Sequence, residues 1–597
     1  MIRIGMARTP IALPAGRSRK CPSADGRWAA FSVTVGLLGA CRSDPGLPSA
    51  EQLALMVQET ETISRDHHGP AVELMDGGPA RFVGTLYNAF REERSLQTVR
   101  FMDARYRTPG SEGFDEVIDL LEVELRKVGF GSRPELELRL LESEMELPAW
   151  NAHSGELRLF TSSGGESVLH AFDRPSDPDR CLLPENAPAC SVSGAVALGL
   201  GELDPGEILV TEASLRRDLL LRAQSKGAVA VVSASLGSYN VDPSGRDRHQ
   251  DAIHFQKVDG DVSLPVARIS PRSYQLILDA EASGRARLSL EAVVDLGSRR
   301  LRTLIATVVG ASRPEEVIAL SSHLEAPGAS DNASGAAGQL ENASSLVRVL
   351  DAGGLQWPQR SLAFIWGMEI EAASLWLVDQ QRTAVAAVNA VMIGESRAET
   401  GALPLLERYP DPGAVKTLLP DKHTLWGSRE FEAEWLVPNG LSVVARCALA
   451  DVSRHVGGWE TFENPYEGGT DHERFIQSGV PAVLFWHFTD FCFHTSLDRL
   501  EMVDPLELKR MAVAALATAM ALADPAPGDL TRYLRSLDHE RRLRVSAAEG
   551  AGELAIAEDW RVWSDGARHW FRVLCLGLDA GQLPGPSEAA TEEPQSP

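Results

Sequence analysis

Five short polar clusters in the second half of the chain hold residue types that bind metal or move protons. They are Ser322-His323-Leu324-Glu325 running on to Asp331-Asn332-Ala333-Ser334-Gly335, then Met368-Glu369-Ile370-Glu371, then Met392-Ile393-Gly394-Glu395, then Gly469-Thr470-Asp471-His472, and last Phe493-His494-Thr495-Ser496-Leu497-Asp498. Each follows an apolar run with strand character or lies in a loop between two such runs. A neutral imidazole and a carboxylate brought together at strand ends form a donor set that suits zinc. Taken singly, each cluster has a plainer reading, with His323 a loop residue and Asp331 a helix cap. Their order along one alternating pattern is what carries weight.

That pattern reads LIATVVG, EVIALSSH, a helix from about Ser334 to Leu350, SLAFIWG, a second helix, AVNAVMIG, later PAVLFWHF, and a helix from about Pro505 to Ala523. Strands alternating with helices predict a largely parallel sheet covered on both faces, a three-layer αβα domain. Ligands in such sheets bind beyond the carboxyl ends of the strands, where these clusters fall. Earlier, Val117, Ile118, Leu120, Leu121, Val123, Leu125 and Val128 follow helical spacing up to a stop at Gly129. From Glu166 to about Leu296 the texture changes to short strands broken by Gly, Pro, Asp and Ser, a second and smaller α/β unit.

At this point the chain resembles the co-catalytic two-zinc exopeptidases, the family of bacterial aminopeptidases, glutamate carboxypeptidase and transferrin receptor. The resemblance covers about 95–135 and 300–525, and is most specific at Asp331-Asn332-Ala333-Ser334-Gly335, Thr470-Asp471-His472 and His494-Thr495. The intervening unit resembles a protease-associated (PA) domain, a module often inserted in this family.

The resemblance implies two zinc ions, with His323 on the first, Asp331 bridging both and His494 on the second. Glu369 falls at the position of the general base, and His472 at one that faces the substrate. Glu325 and Asp471 would lie behind the ligands and orient them. Two family ligands are missing, because Ile370 and Val391 stand where carboxylates are expected. Glu371 and Glu395 are the nearest replacements, and the expectation is that they complete the metal set. The implied activity is removal of amino-terminal residues from peptides. The alternative is a binding or structural module that kept the fold and lost the chemistry.

The rest of the chain bounds the setting. A formal charge of −25 and no basic stripe exclude a nucleic-acid partner. Arg17, Arg19, Lys20 and Arg27 precede the apolar run Ala29–Ala40, which is too short to span a bilayer as a mature helix. It ends Leu38-Gly39-Ala40-Cys41, which resembles the bacterial lipobox, so Cys41 is the expected lipidation site of an exported, membrane-anchored protein. An ordinary cleaved leader, giving a secreted protein, is the alternative. The expected organisation is 1–41 leader, 42–95 helical segment, 96–165 first part of the peptidase domain, 166–298 PA unit, 299–525 main peptidase domain, and 526–597 helical extension with a disordered tail. Cys181 and Cys190 are close enough in sequence to form a small disulfide, while Cys447, Cys492 and Cys575 read as buried thiols. Neither the preferred side chain nor the oligomeric state is legible in the sequence.

Overall fold

The computed structural model describes residues 76–379 and 382–577. The leader, Cys41 and the expected disordered tail lie outside these residues.

The strands in chain order are β1 Leu136–Glu144, β2 Trp150–Phe160, β3 Glu166–Phe172, β4 Cys190–Ala197, β5 Ile208–Thr211, β6 Ala230–Ser233, β7 Val266–Arg268 and β8 Arg287–Leu296. Then follow β9 Arg300–Val308, β10 Arg313–His323, β11 Arg360–Gly367, β12 Thr383–Ala390, β13 Leu403–Glu407, β14 Phe462–Asn464 and β15 Ala482–Phe488. They form two sheets. One has eight strands in the order β1-β9-β11-β10-β12-β15-β13-β14, the other seven in the order β3-β2-β8-β4-β5-β6-β7.

The centre of the larger sheet is parallel, β11-β10-β12-β15, and its flanks are antiparallel, β9 on β11 and β13 on β15. Of the central strands, β11 and β15 are buried throughout and β10 and β12 over their carboxyl-terminal parts, as a sheet covered on both faces requires. The helices that cover it include α1 Glu112–Lys127, α2 Ala333–Asp351, α3 Glu371–Asp379, α4 Asp471–Gln477 and α5 Pro505–Ala523. Helix α2 is built from Ala, Gly and Ser and is buried on nearly every face, which lets it pack closely on β10 and α5. In α1, Ser111 accepts from the Phe114 N–H, acidic residues occupy the first turn, and Arg126 and Lys127 the last. Phe114, Val117, Ile118, Leu121 and Leu125 form its buried face, as the spacing predicts.

Three boundaries differ from expectation. The second sheet starts at Trp150 rather than 166, because β2 pairs with β8 and β3 while β1 alone pairs into the larger sheet. The segment before residue 96 contributes Phe82, Val83 and Leu86 to the main core. The C-terminal helices α6 Asp529–Gly550 and α7 Leu554–Leu576 pack on each other, and their Tyr533, Leu537, Trp560 and Phe571 join the same core, so they are part of the domain and not an appendage. The smaller sheet has a separate apolar core around Leu157, Ile208, Val231 and Leu288. Cys181 and Cys190 are free thiols, Cys181 buried, so the expected disulfide is not formed. Among the described residues, no helix is long and apolar enough to cross a membrane.

Candidate metal centre

Strand β10 ends at His323, and the chain loops through 324–332 into the N-terminus of α2. The loop is held from several sides. Arg107, wholly buried, donates to the carbonyls of Leu324 (2.9 Å), Met102 (2.6 Å) and Gly328 (2.8 Å). Arg180, next to the smaller sheet, donates to the Pro327 carbonyl at 2.6 Å. Asp498 accepts from the Ser330 and Asp331 N–H groups at 2.7 and 2.9 Å. A Cβ at Gly328 would stand 1.9 Å from the Asp498 carboxylate, so only glycine fits there. Asn332 donates to the Ser322 hydroxyl and the His323 carbonyl, both at 3.0 Å, and accepts from the Met392 N–H at 3.0 Å.

The result is a buried carboxylate flanked by two imidazoles. His323 Nε2 lies 3.2 Å from one oxygen of Asp331, and His494 Nε2 lies 3.0 Å from the other. Glu369 places a carboxylate oxygen 3.5 Å from His323 Nδ1. Burial alone would raise the Asp331 pKa, but hydrogen bonds to both imidazoles hold it well below the usual carboxylate range. Burial would lower His323, yet the carboxylates of Glu369, Asp331 and Glu325 raise it to about 10. Burial pushes Glu369 up against the opposing pull of His323, and pushes Glu325 up to about 8.

Glu325 and Asp471 lie behind this cluster, where they hold the backbone of the next turn. Glu325 accepts from the Glu369 N–H and Asp471 from the Ile370 N–H, each at 2.6 Å. Ile370 has φ +64, a left-handed conformation that costs a β-branched residue dearly, so these two hydrogen bonds fix a strained turn that presents Glu369.

Three expectations are corrected. Glu371 begins α3 with its side chain exposed, and has no hydrogen bond or ion pair with His323, Asp331 or His494. The strained turn at Ile370 has already carried the chain away from the cluster. Glu395 is wholly buried but lies 3.2 Å from His487 Nδ1 and accepts from the Gly394 N–H, so it serves another cluster. His472 is wholly buried in the first turn of α4, its Nε2 2.7 Å from Glu407 at the end of β13, and does not face a substrate.

His487 is a packed strand end whose Nδ1 lies 2.9 Å from the Met392 carbonyl. Arg408 and Asp411 belong to a buried ion network with Asp421, away from the cluster. The roles of Asp498 and Arg107 escaped the sequence reading. The motif around His494 contains the first, and no local signal marks the second.

The smaller sheet reaches the cluster directly. The segment Ile253–Phe255 runs antiparallel to His494–Ser496, with the Phe255 N–H donating to the His494 carbonyl at 2.6 Å and the Ser496 N–H to the Ile253 carbonyl at 2.8 Å. Tyr239 packs edge-on against Phe488, and burial with Asp331 nearby pushes its phenol up to about 12. Nothing in the sequence of this unit marks it as part of a site.

The donor chemistry can be tested against the implied zinc. Two imidazoles and a carboxylate match the ligand types of a catalytic zinc with three protein ligands and an open position. Two ions sharing Asp331 would need two further carboxylates, and Val391 instead packs into an apolar cluster with Leu403, Phe462 and Trp486. The set therefore suffices for one ion and not for two. As arranged, with the imidazoles on opposite oxygens, no three His, Cys, Asp or Glu side chains among the described residues enclose a single point.

Residues 303–394 match the model of Peptidase family M28. No curated protein matches the chain. Solved structures similar to it include the M28 peptidase precursor of Shewanella amazonensis SB2B (16% identity, 80% of this chain and 98% of that one, TM-score 0.49). The zinc aminopeptidase BSAP of Bacillus subtilis is also similar (14%, 72% and 94%, TM-score 0.48), as is the aminopeptidase of Aneurinibacillus sp. strain AM-1 (17%, 74% and 97%, TM-score 0.44). The stretch that carries His323, Asp331 and Glu369 thus lies within the match to Peptidase family M28.

Proposed function

We propose that the chain hydrolyses peptides from the amino-terminal end, with Glu369 as general base and a divalent cation, zinc by its donor chemistry, at Asp331. The observation that carries this reading is the buried Asp331 carboxylate with one imidazole on each oxygen and Glu369 beside the first. His323, Asp331 and His494 are the residues that would hold the ion, which when bound lowers the pKa of a water and polarises a carbonyl. Glu369 takes the proton from the attacking water and returns it to the leaving amine. Glu325 and Asp471 position that base through the backbone of its turn. The segment Ile253–Phe255 is hydrogen-bonded alongside His494–Ser496, so the smaller unit borders the site. The smaller sheet then acts as the PA unit that covers the site, and Cys41 as a lipid anchor outside the cytoplasm. A Cys41→Ala variant that stays in the membrane fraction would remove the anchor from this proposal.

The test is hydrolysis of a panel of amino-acid anilides alongside metal content. Glu369→Gln is expected to lower the rate by about 10²–10⁴-fold with bound metal unchanged. Equal rates for both proteins would end the assignment of the base.

Ile370 and Val391 favour a second reading, a binding module on the peptidase scaffold. It predicts no hydrolysis of any panel member by the wild type after zinc is supplied.

A further inference from the structure

Arg429 lies in the long connection between β13 and β14, and two of its contacts lead to the Asp331 cluster. Its backbone N–H donates to the Glu467 carbonyl at 3.1 Å. Its guanidinium rests on Gly469, with Nε and Nη2 each 3.2 Å from where a Cβ would stand, and lies 5.8 Å from the centre of the Trp426 ring. Gly469 stands two residues before Asp471, which accepts from the Ile370 N–H beside Glu369. Trp426 meets Phe493 edge-on at 5.6 Å, and Phe493 stacks on His494 with ring centres 3.8 Å apart. On one side Arg429 thus touches the chain that holds the turn of the base, and on the other the aromatic packing behind the second imidazole.

The fold makes no use of this charge. Arg429 is exposed, and among the described residues its guanidinium has neither a carboxylate partner nor a hydrogen bond. Glu473, which also approaches this turn, accepts instead from the Gly469 N–H at 2.9 Å and from Gln477 at 3.0 Å. Acidic residues outnumber basic ones by 83 to 58 in this chain, so a guanidinium left without one is not short of candidates. The planar fork of arginine takes a carboxylate by two parallel N–H bonds, and its face packs on an aromatic ring, so the Trp426 contact leaves the fork's edge for a ligand.

We propose that Arg429 binds a carboxylate of the substrate and so sets which peptides the site accepts. This rests on reading Asp331 with Glu369 as the place where the peptide is cut. The carboxylate comes either from the free end of a short peptide or from an acidic side chain near the cleaved bond. In both cases the guanidinium recognises the same group, and the ligands below separate the two sources.

The experiment uses the full chain carrying Glu369→Gln and supplied with zinc, so that ligands bind with little turnover. It is titrated by calorimetry with leucyl-alanine, leucyl-alanine amide and leucyl-aspartyl amide. Tighter binding of leucyl-alanine than of its amide, by about 10-fold, assigns the free chain end; the same preference for leucyl-aspartyl amide assigns the side chain. That factor is at the low end for a hydrogen bond to a charged group because the guanidinium is exposed. Adding Arg429→Gln should bring the preferred ligand to the level of leucyl-alanine amide, and Arg429→Glu should place it below. A residue that only shapes the loop would move acid and amide together. Equal binding of all three ligands, no binding of any, or a preference that survives Arg429→Gln each overturn the proposal. Hydrolysis of leucyl-alanine amide by the chain with Glu369 intact is measured alongside. A preference that depends on Arg429 without hydrolysis would keep this carboxylate site and sink the peptidase reading; hydrolysis without any preference would do the reverse.

Discussion

Two buried clusters of ionisable groups lie close together at the carboxyl ends of the central strands, and they are built in opposite ways. In the front one, each oxygen of Asp331 faces an imidazole, and the carboxyl stays ionised. In the rear one, Glu395, Asp490 and Asp498 are all buried with only His487 among them, and one oxygen each of Glu395 and Asp490 has no hydrogen-bond partner. Burial and the neighbouring Asp490 and Asp498 raise the Glu395 pKa well above its usual value, and Asp498 is pushed up to about 7 by burial. Equal exclusion of water thus goes with a lowered carboxyl pKa where an imidazole faces each oxygen and with raised ones where it does not. Burial alone does not make a metal site; the partner on each oxygen does.

The largest effect that would break this comparison is at Asp331. In the metal-free protein at pH 7, Asp331→Asn is expected to cost about 3–5 kcal/mol in denaturant unfolding, as removal of one member of a buried pair does. A gain in stability would mean that the front cluster stores strain and is not a matched set.

Val391→Asp comes next and returns a family carboxylate to the front. Without metal it should destabilise by about 2–3 kcal/mol, since an ionisable group enters a cluster of Leu403, Phe462 and Trp486. With zinc it should recover part of that loss and raise the metal content above the wild-type value. Unchanged zinc content would show that the front cannot be completed from this strand.

The smallest effect sharpens the rear. Glu395 has a raised folded pKa, so its contribution to stability is whole below the unfolded value of about 4.3 and is lost as the pH rises towards the folded one. Glu395→Gln mimics the neutral acid and suffers no such loss. The variant should therefore gain on the wild type steadily as the pH rises from 4 to 8. A difference that stays flat across this range would place an ionised Glu395 in the rear cluster.

The sequence by itself determined the strand ends and what stands on them. His323, Asp331, Glu369 and His494 each follow an apolar run, and a parallel sheet must gather the ends of its strands on one edge. The alternation of runs is enough for that, so the α/β architecture and the cluster were legible together. The C-terminal helices were legible as helices but not as core, because burial of Tyr533 and Phe571 depends on elements far away in the chain.

What only the tertiary structure decided is where side chains one or a few residues from those ends point. Glu371 is two residues from the base, yet a left-handed turn at Ile370 and the start of a helix send it to solvent. Glu395 and His472 sit within family motifs and turn inward, to His487 and Glu407, partners brought by other strands. His254 approaches His494 from a sheet with its own core, by backbone hydrogen bonds that any sequence could make. Strand ends are fixed by local hydrophobic pattern; the direction of one side chain is fixed by backbone dihedrals and by neighbours that no local pattern encodes.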